Sequence, residues 1–341
     1  MLSKGFLDAG PKVMSMVWIK FFASAAVIVA AAYYLAKFGD VIAVRTKLGG
    51  MFIGVLLMAG ATSLPEILTS ISAVNQQSPN IAAGNLLGSN SFNMLLLASL
   101  DIINRNQRLL RKAARRHALS GSLAVMLIAL VLFFQLADIN IKIGWVGLDA
   151  LIIVVAYIIA VRLISHESKQ ISIPEDEIPS ETPKLWVGIA GFLVAAGVLI
   201  TITPFMVNSS ATIAEITGLG TTFIGTTLVA MVTSLPELVT TISAIKIGAS
   251  DMAIGNLFGS NMFNMFALGL TDFFYTKGRF LNVIDPTFQF IGMLGLLMTV
   301  VALVGNLGRL EKRIGFIEAD AMALIILYIT GMWIIFQKGF G

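Results

Sequence analysis

The sequence predicts an all-α integral membrane protein of about ten transmembrane helices, arranged as two inverted five-helix repeats. Three observations lead there. Of the 341 residues, 57% are hydrophobic and 12% charged, about half the charged fraction of an ordinary soluble domain. Apolar runs of roughly 20 residues, the length that crosses a bilayer core, recur along the whole chain. One 33-residue segment occurs twice, at an offset of 171.

The apolar runs place spans at about 15–37, 50–74, 81–103, 118–137, 144–165, 185–207, 220–245, 252–275, 286–306 and 318–337. They are continuously apolar and do not alternate, which excludes a transmembrane β-barrel. No cleavable signal peptide is evident: the first twelve residues hold Lys4, Asp8 and Lys12 and lead into no cleavage site. The absence of cysteine removes disulfides and thiolate metal sites. His117 and His166, the two histidines, fall at expected helix ends, so a histidine-ligated zinc or haem is not expected.

Lysine and arginine set the orientation. With the N-terminus on one side and ten crossings, the opposite side collects 16 of the 23 basic residues, six of them between Arg105 and Arg116. That side reads as cytoplasmic, so both termini face outward in a multi-pass cell-membrane protein. The basic cluster reads as an anchor at lipid headgroups and not as a nucleic-acid site.

Residues 62–94 and 233–265 align without a gap, and 19 of the 33 pairs are identical. The matches include Pro, Glu, Asn, Ser and Thr, so shared hydrophobicity does not explain them; the chain carries a duplication. Five spans precede the polar stretch 166–184 and five follow it. An odd number of crossings per half inverts the second copy, the layout of many transporters whose sites lie at the repeat interface near the bilayer midplane.

Each copy buries one carboxylate in an apolar helix, Glu66 and Glu237. A charge at the helix centre costs about 2.5–3.5 kcal/mol on insertion scales, and no Lys or Arg sits at comparable depth. A metal cation or a proton is the natural partner. Thr62 and Ser63, and likewise Thr233 and Ser234, precede their glutamate by four and three residues and share its general face. Pro65 and Pro236 lack an N–H and disrupt the helical ladder, freeing the carbonyls of Ala61 and Val232. Carboxylate, hydroxyl and carbonyl oxygens suit hard cations. The second motif, GNLLGSNSFN at 84–93 and GNLFGSNMFN at 255–264, aligns Asn85, Ser89 and Asn93, and Asn256, Ser260 and Asn264, in polar stripes. Gly84 with Gly88, and Gly255 with Gly259, are small-xxx-small pairs that permit close helix approach.

These paired motifs resemble the alpha-repeats of the cation/calcium antiporter superfamily, in its sodium/calcium exchanger branch of prokaryotic type. The resemblance covers essentially the whole chain. It implies a first half at 1–165 with its alpha-repeat at about 54–103, a cytoplasmic linker at 166–184, and a second half at 185–341 with its alpha-repeat at about 225–274. It implies Glu66 and Glu237 as the main calcium ligands, helped by the backbone of Thr62 and Thr233. Sodium would share those carboxylates and use Ser63, Ser234, Ser89 and Ser260, with carbonyls near Ala59 and Ala230. Asn93 and Asn264 fill the remaining polar positions; several relatives carry aspartate at the latter. The implied activity is secondary active, electrogenic exchange of Na⁺ for Ca²⁺ by alternating access, in a monomer or homodimer surrounded by membrane lipid. No cofactor and no catalytic residue is implied, and the transported ions are the substrates. A proton-coupled Ca²⁺ antiporter, or one for another divalent cation, is the alternative; a channel and an intramembrane enzyme fit the residues less well. Gly49–Gly50 and Gly218–Gly220 are candidate hinges.

Overall fold

The computed structural model describes residues 11–46, 52–75, 77–103, 117–169, 182–217, 227, 229–308, 313–314 and 317–337. The candidate hinge glycines, the basic cluster at 105–116 and most of the linker lie outside these residues.

The first half runs α1 (Pro11–Thr46), α2 (Gly54–Thr62), α3 (Leu64–Asn75), α4 (Pro79–Ile103), α5 (Ala118–Ala137) and α6 (Leu148–Lys169). A short hairpin of β1 (Lys142–Ile143) and β2 (Val146–Gly147) precedes α6. The second half runs α7 (Leu185–Thr217), α8 (Ala230–Thr233), α9 (Leu235–Lys246), α10 (Ser250–Phe274), the single turn α11 (Phe280–Val283) and α12 (Thr287–Gly308). A second hairpin, β3 (Arg313–Ile314) with β4 (Ile317–Glu318), leads into α13 (Ala319–Gln337). Helix α6 extends to Lys169, four residues past the span boundary expected at 165.

The 171-residue offset holds far beyond the repeated motifs. It maps α3 onto α9 and α4 onto α10 end for end, and carries the β1–β2 register onto β3–β4. The duplication therefore covers a whole five-span half, including the hairpins, whose sequences KIGWVG and RIGFIE the motif comparison had not reached.

Six described helices are long and apolar enough to cross a membrane, and α2 with α3 forms a seventh span bent by 44°. Helices α4 and α10 have the length, 25 residues each, but the Asn and Ser of their motifs lower their hydropathy. Such a stripe is tolerable only where protein covers it, and these two helices pack against each other at the bundle centre. Gly259 on α10 permits close approach of α2: a Cβ there would lie 2.6 Å from Val55 Cα and O. Gly54 on α2 does the same against the backbone of Met252. Outward, Phe22, Val29, Phe133, Leu193, Val194 and Ile329 are exposed, as lipid-facing residues should be.

Helices α1 and α7 pack most extensively on each other. They run antiparallel, since Gly188 faces Val41 and Ile42 while Gly191 faces Phe38.

At one end of the bundle Arg279 is buried and bridges Asp149 at 2.8 Å and Asp138 at 3.1 Å. Asp272 beside them accepts the N–H of Gly147 at 2.6 Å and that of Phe280 at 2.5 Å. The positions 171 residues away from Asp272, Gly147 and Asp149 are Asp101, Glu318 and Asp320, which gather at the other end. Truncating Arg279 to alanine leaves Asp149 buried and stripped of its partner. The expected cost is about 3–5 kcal/mol, read as a large drop in the melting temperature of purified protein. The double variant with Asp149→Asn should recover most of it.

Candidate functional site

Each repeat breaks a membrane helix at a serine. Ser63 separates α2 from α3 with φ −90° and ψ 3°, and Ser234 separates α8 from α9 with φ −85° and ψ 6°. Before each break the helix still closes: Ser63 N–H donates to Ala59 O at 2.9 Å and Ser234 N–H to Ala230 O at 3.0 Å. After it, Pro65 and Pro236 fall in the first turn of the new helix, where a missing N–H costs nothing. The sequence expectation of a disrupted ladder thus takes the form of two helices joined at an angle. A π-helical turn at Gly54–Met58 precedes the first break, a distortion that often marks function.

The breaks bring Glu66 and Glu237 to the centre, each 1% exposed, close enough for their charges to interact. The two halves then bond reciprocally. Ser63 Oγ donates to Glu237 Oε1 at 2.8 Å, and Ser234 Oγ to Glu66 Oε1 at 3.2 Å. Thr233 Oγ1 lies 2.9 Å from Asn85 Oδ1, and Thr62 Oγ1 lies 3.3 Å from Asn256 Oδ1. Ser260 Oγ reaches Glu237 Oε1 at 3.3 Å, while Ser89 and Ser234 hydroxyls are 3.1 Å apart. The structure therefore gathers Thr62, Ser63, Glu66 and Ser89 with Thr233, Ser234, Glu237 and Ser260, while Asn93 and Asn264 bond across the halves to Asn261 and Asn90. It adds what the spacing left open: the Ser63 hydroxyl donates to the glutamate of the other half.

Four buried oxygens here have no hydrogen-bond donor among the described residues: Glu66 Oε2, Glu237 Oε2, Asn93 Oδ1 and Asn264 Oδ1. Buried acceptors are almost always paired, and all four are of the hard-oxygen kind. Arg279 is the one buried Lys or Arg among the described residues, and its carboxylates are Asp138 and Asp149. Among the described residues, the two carboxylates thus lie buried in an apolar bundle with no Lys or Arg paired to them.

A protein-family model described as sodium/calcium exchanger protein matches residues 16–165 and 187–337. The chain belongs to the sodium/calcium exchanger family. Among relatives of these exchangers, sodium/calcium exchanger MaX1 of Methanosarcina acetivorans is 27% identical over 279 residues, covering 71% of this chain and 78% of that protein. The putative antiporter CaxA of Alkalimonas amylolytica is 28% identical, covering 67% and 70%. A solved structure of the sodium-calcium exchanger NCX_Mj, soaked with 10 mM Na⁺ and zero Ca²⁺, matches with TM-score 0.66 at 22% identity, over 93% of this chain and 98% of that one. That likeness shows the fold, an inverted-repeat helical bundle; the family match makes the chain a membrane transporter of the cation/calcium antiporter kind.

Sequence reasoning placed Asn85 and Asn256 in the polar stripes but missed the groups they bind. Asn85 Nδ2 donates to Glu66 O at 3.1 Å and Ser70 Oγ at 3.2 Å, and Asn256 Nδ2 to Thr240 and Thr241 hydroxyls at 3.1 and 3.0 Å. These bonds lock α4 to α3 and α10 to α9. Asn90 and Asn261 are also central: Asn93 Nδ2 donates to Asn261 Oδ1 and Asn264 Nδ2 to Asn90 Oδ1, both at 3.0 Å. Their signal lay within the repeated GSN, but a position next to Ser89 or Ser260 falls off the i, i+4 stripe.

Proposed function

We propose that this exchanger moves Na⁺ and Ca²⁺ in opposite directions by alternating access, with both ions competing for one site centred on Glu66 and Glu237. The observation that carries this reading is the set of four unpartnered buried oxygens, two from each half. Around the carboxylates, Ca²⁺ takes help from the backbone of Thr62 and Thr233. Sodium adds Ser63, Ser234, Ser89 and Ser260, with the Ala59 and Ala230 carbonyls and the amide oxygens of Asn93 and Asn264. One Ca²⁺ neutralises two carboxylates, whereas three Na⁺ overshoot by one charge, so three-for-one exchange is electrogenic. Loading both sets together crowds like charges in a low dielectric, and mutual exclusion makes the coupling obligatory. Access alternates by movement of the α1–α7 pair, which packs chiefly on itself and lies against the broken helices. The names of MaX1 and NCX_Mj support the choice of ions.

The test is radiolabelled Ca²⁺ uptake into proteoliposomes loaded with Na⁺, with K⁺ or with neither, at matched pH and with a pH gradient. Uptake should require internal Na⁺ and be accelerated by an inside-positive potential. Uptake indifferent to Na⁺ but driven by the pH gradient would transfer the same site to proton coupling.

Both termini are outside in this reading and the linker is cytoplasmic. The chain has no cysteine, so single replacements report directly. Ile143→Cys, exposed in the β1–β2 hairpin, should react with an impermeant maleimide on intact cells. Ser172→Cys in the linker should react only after permeabilisation. The reverse pattern inverts the orientation.

A further inference from the structure

The amide of Asn93 is held with a defined polarity, and the hold begins on a helix outside both motifs. Thr299 on α12 donates its hydroxyl proton to Gly295 O at 2.7 Å, so its oxygen has only lone pairs to offer Asn261. Asn261 Nδ2 faces that oxygen and the backbone carbonyl of Asn90, each at 3.4 Å. A backbone carbonyl only accepts, and the Thr299 oxygen, its proton committed to Gly295, accepts beside it; the two together hold the Asn261 amide nitrogen on that side. Its Oδ1 then faces Asn93, which must present Nδ2, at 3.0 Å. Asn93 Oδ1 is left turned away, buried and without a donor.

The mirror arm lacks this control. Asn90 Oδ1 accepts from Asn264 Nδ2 at 3.0 Å, but Asn90 Nδ2 has no partner among the described residues. The position 171 residues before Thr299 is Ile128, a buried hydrocarbon. Nothing there dictates which end of the Asn90 amide meets Asn264.

We infer that Thr299 is a positioning residue that orients the Asn93 amide oxygen toward the transported cation through Asn261, and that the two asparagine arms of the site are therefore unequal. The inference rests on the cation-site reading above. Thr299 touches no ion; it sets the direction of a dipole two residues removed.

The test compares Thr299→Val with Thr299→Ser in the full-length protein. Calcium binding is measured by calorimetry in detergent, and exchange in proteoliposomes. Removing the lone pair at constant shape should weaken Ca²⁺ binding and raise the exchange KM about five- to tenfold, with kcat within about twofold. Thr299→Ser, which restores the acceptor, should match the parent. Thr299→Ala carries the same expectation as Val if the latter is not recovered folded, and melting without cation reports folding independently. Unchanged binding in Val and Ala overturns the brace, as does a serine variant as impaired as valine, which would mark a packing role. A parent protein that binds no cation overturns the site reading itself and the brace with it.

Discussion

Glu66→Gln and Glu237→Gln should each abolish Na⁺-dependent Ca²⁺ uptake while leaving the protein folded. Glutamine matches glutamate in shape, and its amide oxygen still accepts the hydroxyl of Ser234 or Ser63 that now meets Oε1. What is lost is one of the two carboxylate charges buried there. At an effective dielectric of about 20, two unit charges about 4 Å apart interact by about 4 kcal/mol, and a divalent cation feels twice that. Allowing for the easier burial of a neutral side chain, a fall of at least about a thousandfold in uptake is expected. In the proposed site both carboxylates share one ion, so the two single variants should be equally inactive and the double variant no worse. Melting should show them no less stable without cation than the parent, since each removes a buried like-charge neighbour. Substantial uptake in either variant would exclude that carboxylate as an ion ligand.

Gly259→Val should fail to give a monodisperse protein. A Cβ at this position meets the Cα and carbonyl of Val55 at 2.6 Å, and the Cβ of Ala59 at 2.8 Å. These atoms are backbone or fixed to it, so relief requires α10 to withdraw from α2, and the withdrawal opens the cross-half hydrogen bonds of Thr62 and Ser63. The expected loss is at least about 3 kcal/mol, at the upper end of overpacking penalties, and it falls on the contact that aligns the site. Gly197→Ala is the matched control: nothing lies within 4 Å of its would-be Cβ, and its effect should stay within about 0.5 kcal/mol. Size-exclusion profiles and melting curves of the two variants decide the point. A well-behaved Gly259→Val protein would mean the helices have room the packing does not show.

Much of this was legible in the residues. Apolar length gave the spans, the ungapped repeat gave the inversion, and the coincidence of Thr, Ser, Pro and Glu in both copies located the broken helices. The limits have physical causes. Periodicity describes one helix at a time, so it set Ser63 on the general face of Glu66 but was silent on the bond its hydroxyl makes to Glu237 across the interface. The stripe rule kept Asn93 and Asn264 but dropped Asn90 and Asn261, because contact between helices is not bound by the period of either. Thr299 lay in a span with no motif at all; only the fold brings it to Asn261. The close approach at Gly54 was equally silent, since a lone glycine in an apolar run reads the same whether or not a neighbour needs the space.

The reciprocal bonding of the halves has a consequence for how such a protein can arise. Ser63 serves Glu237 and Ser234 serves Glu66, so the carboxylate of a five-span half standing alone lacks the hydroxyl that the other half supplies. To complete the site, two such halves must meet head to tail, and that requires a single polypeptide to enter the membrane in both orientations. A chain of that kind cannot carry a strong bias of lysine and arginine between its two faces. Joining the halves through a linker lifts the restriction, because each half then needs only one orientation. The orientation proposed above, with 16 basic residues on one face against 7 on the other, is closed to a single half that must insert both ways.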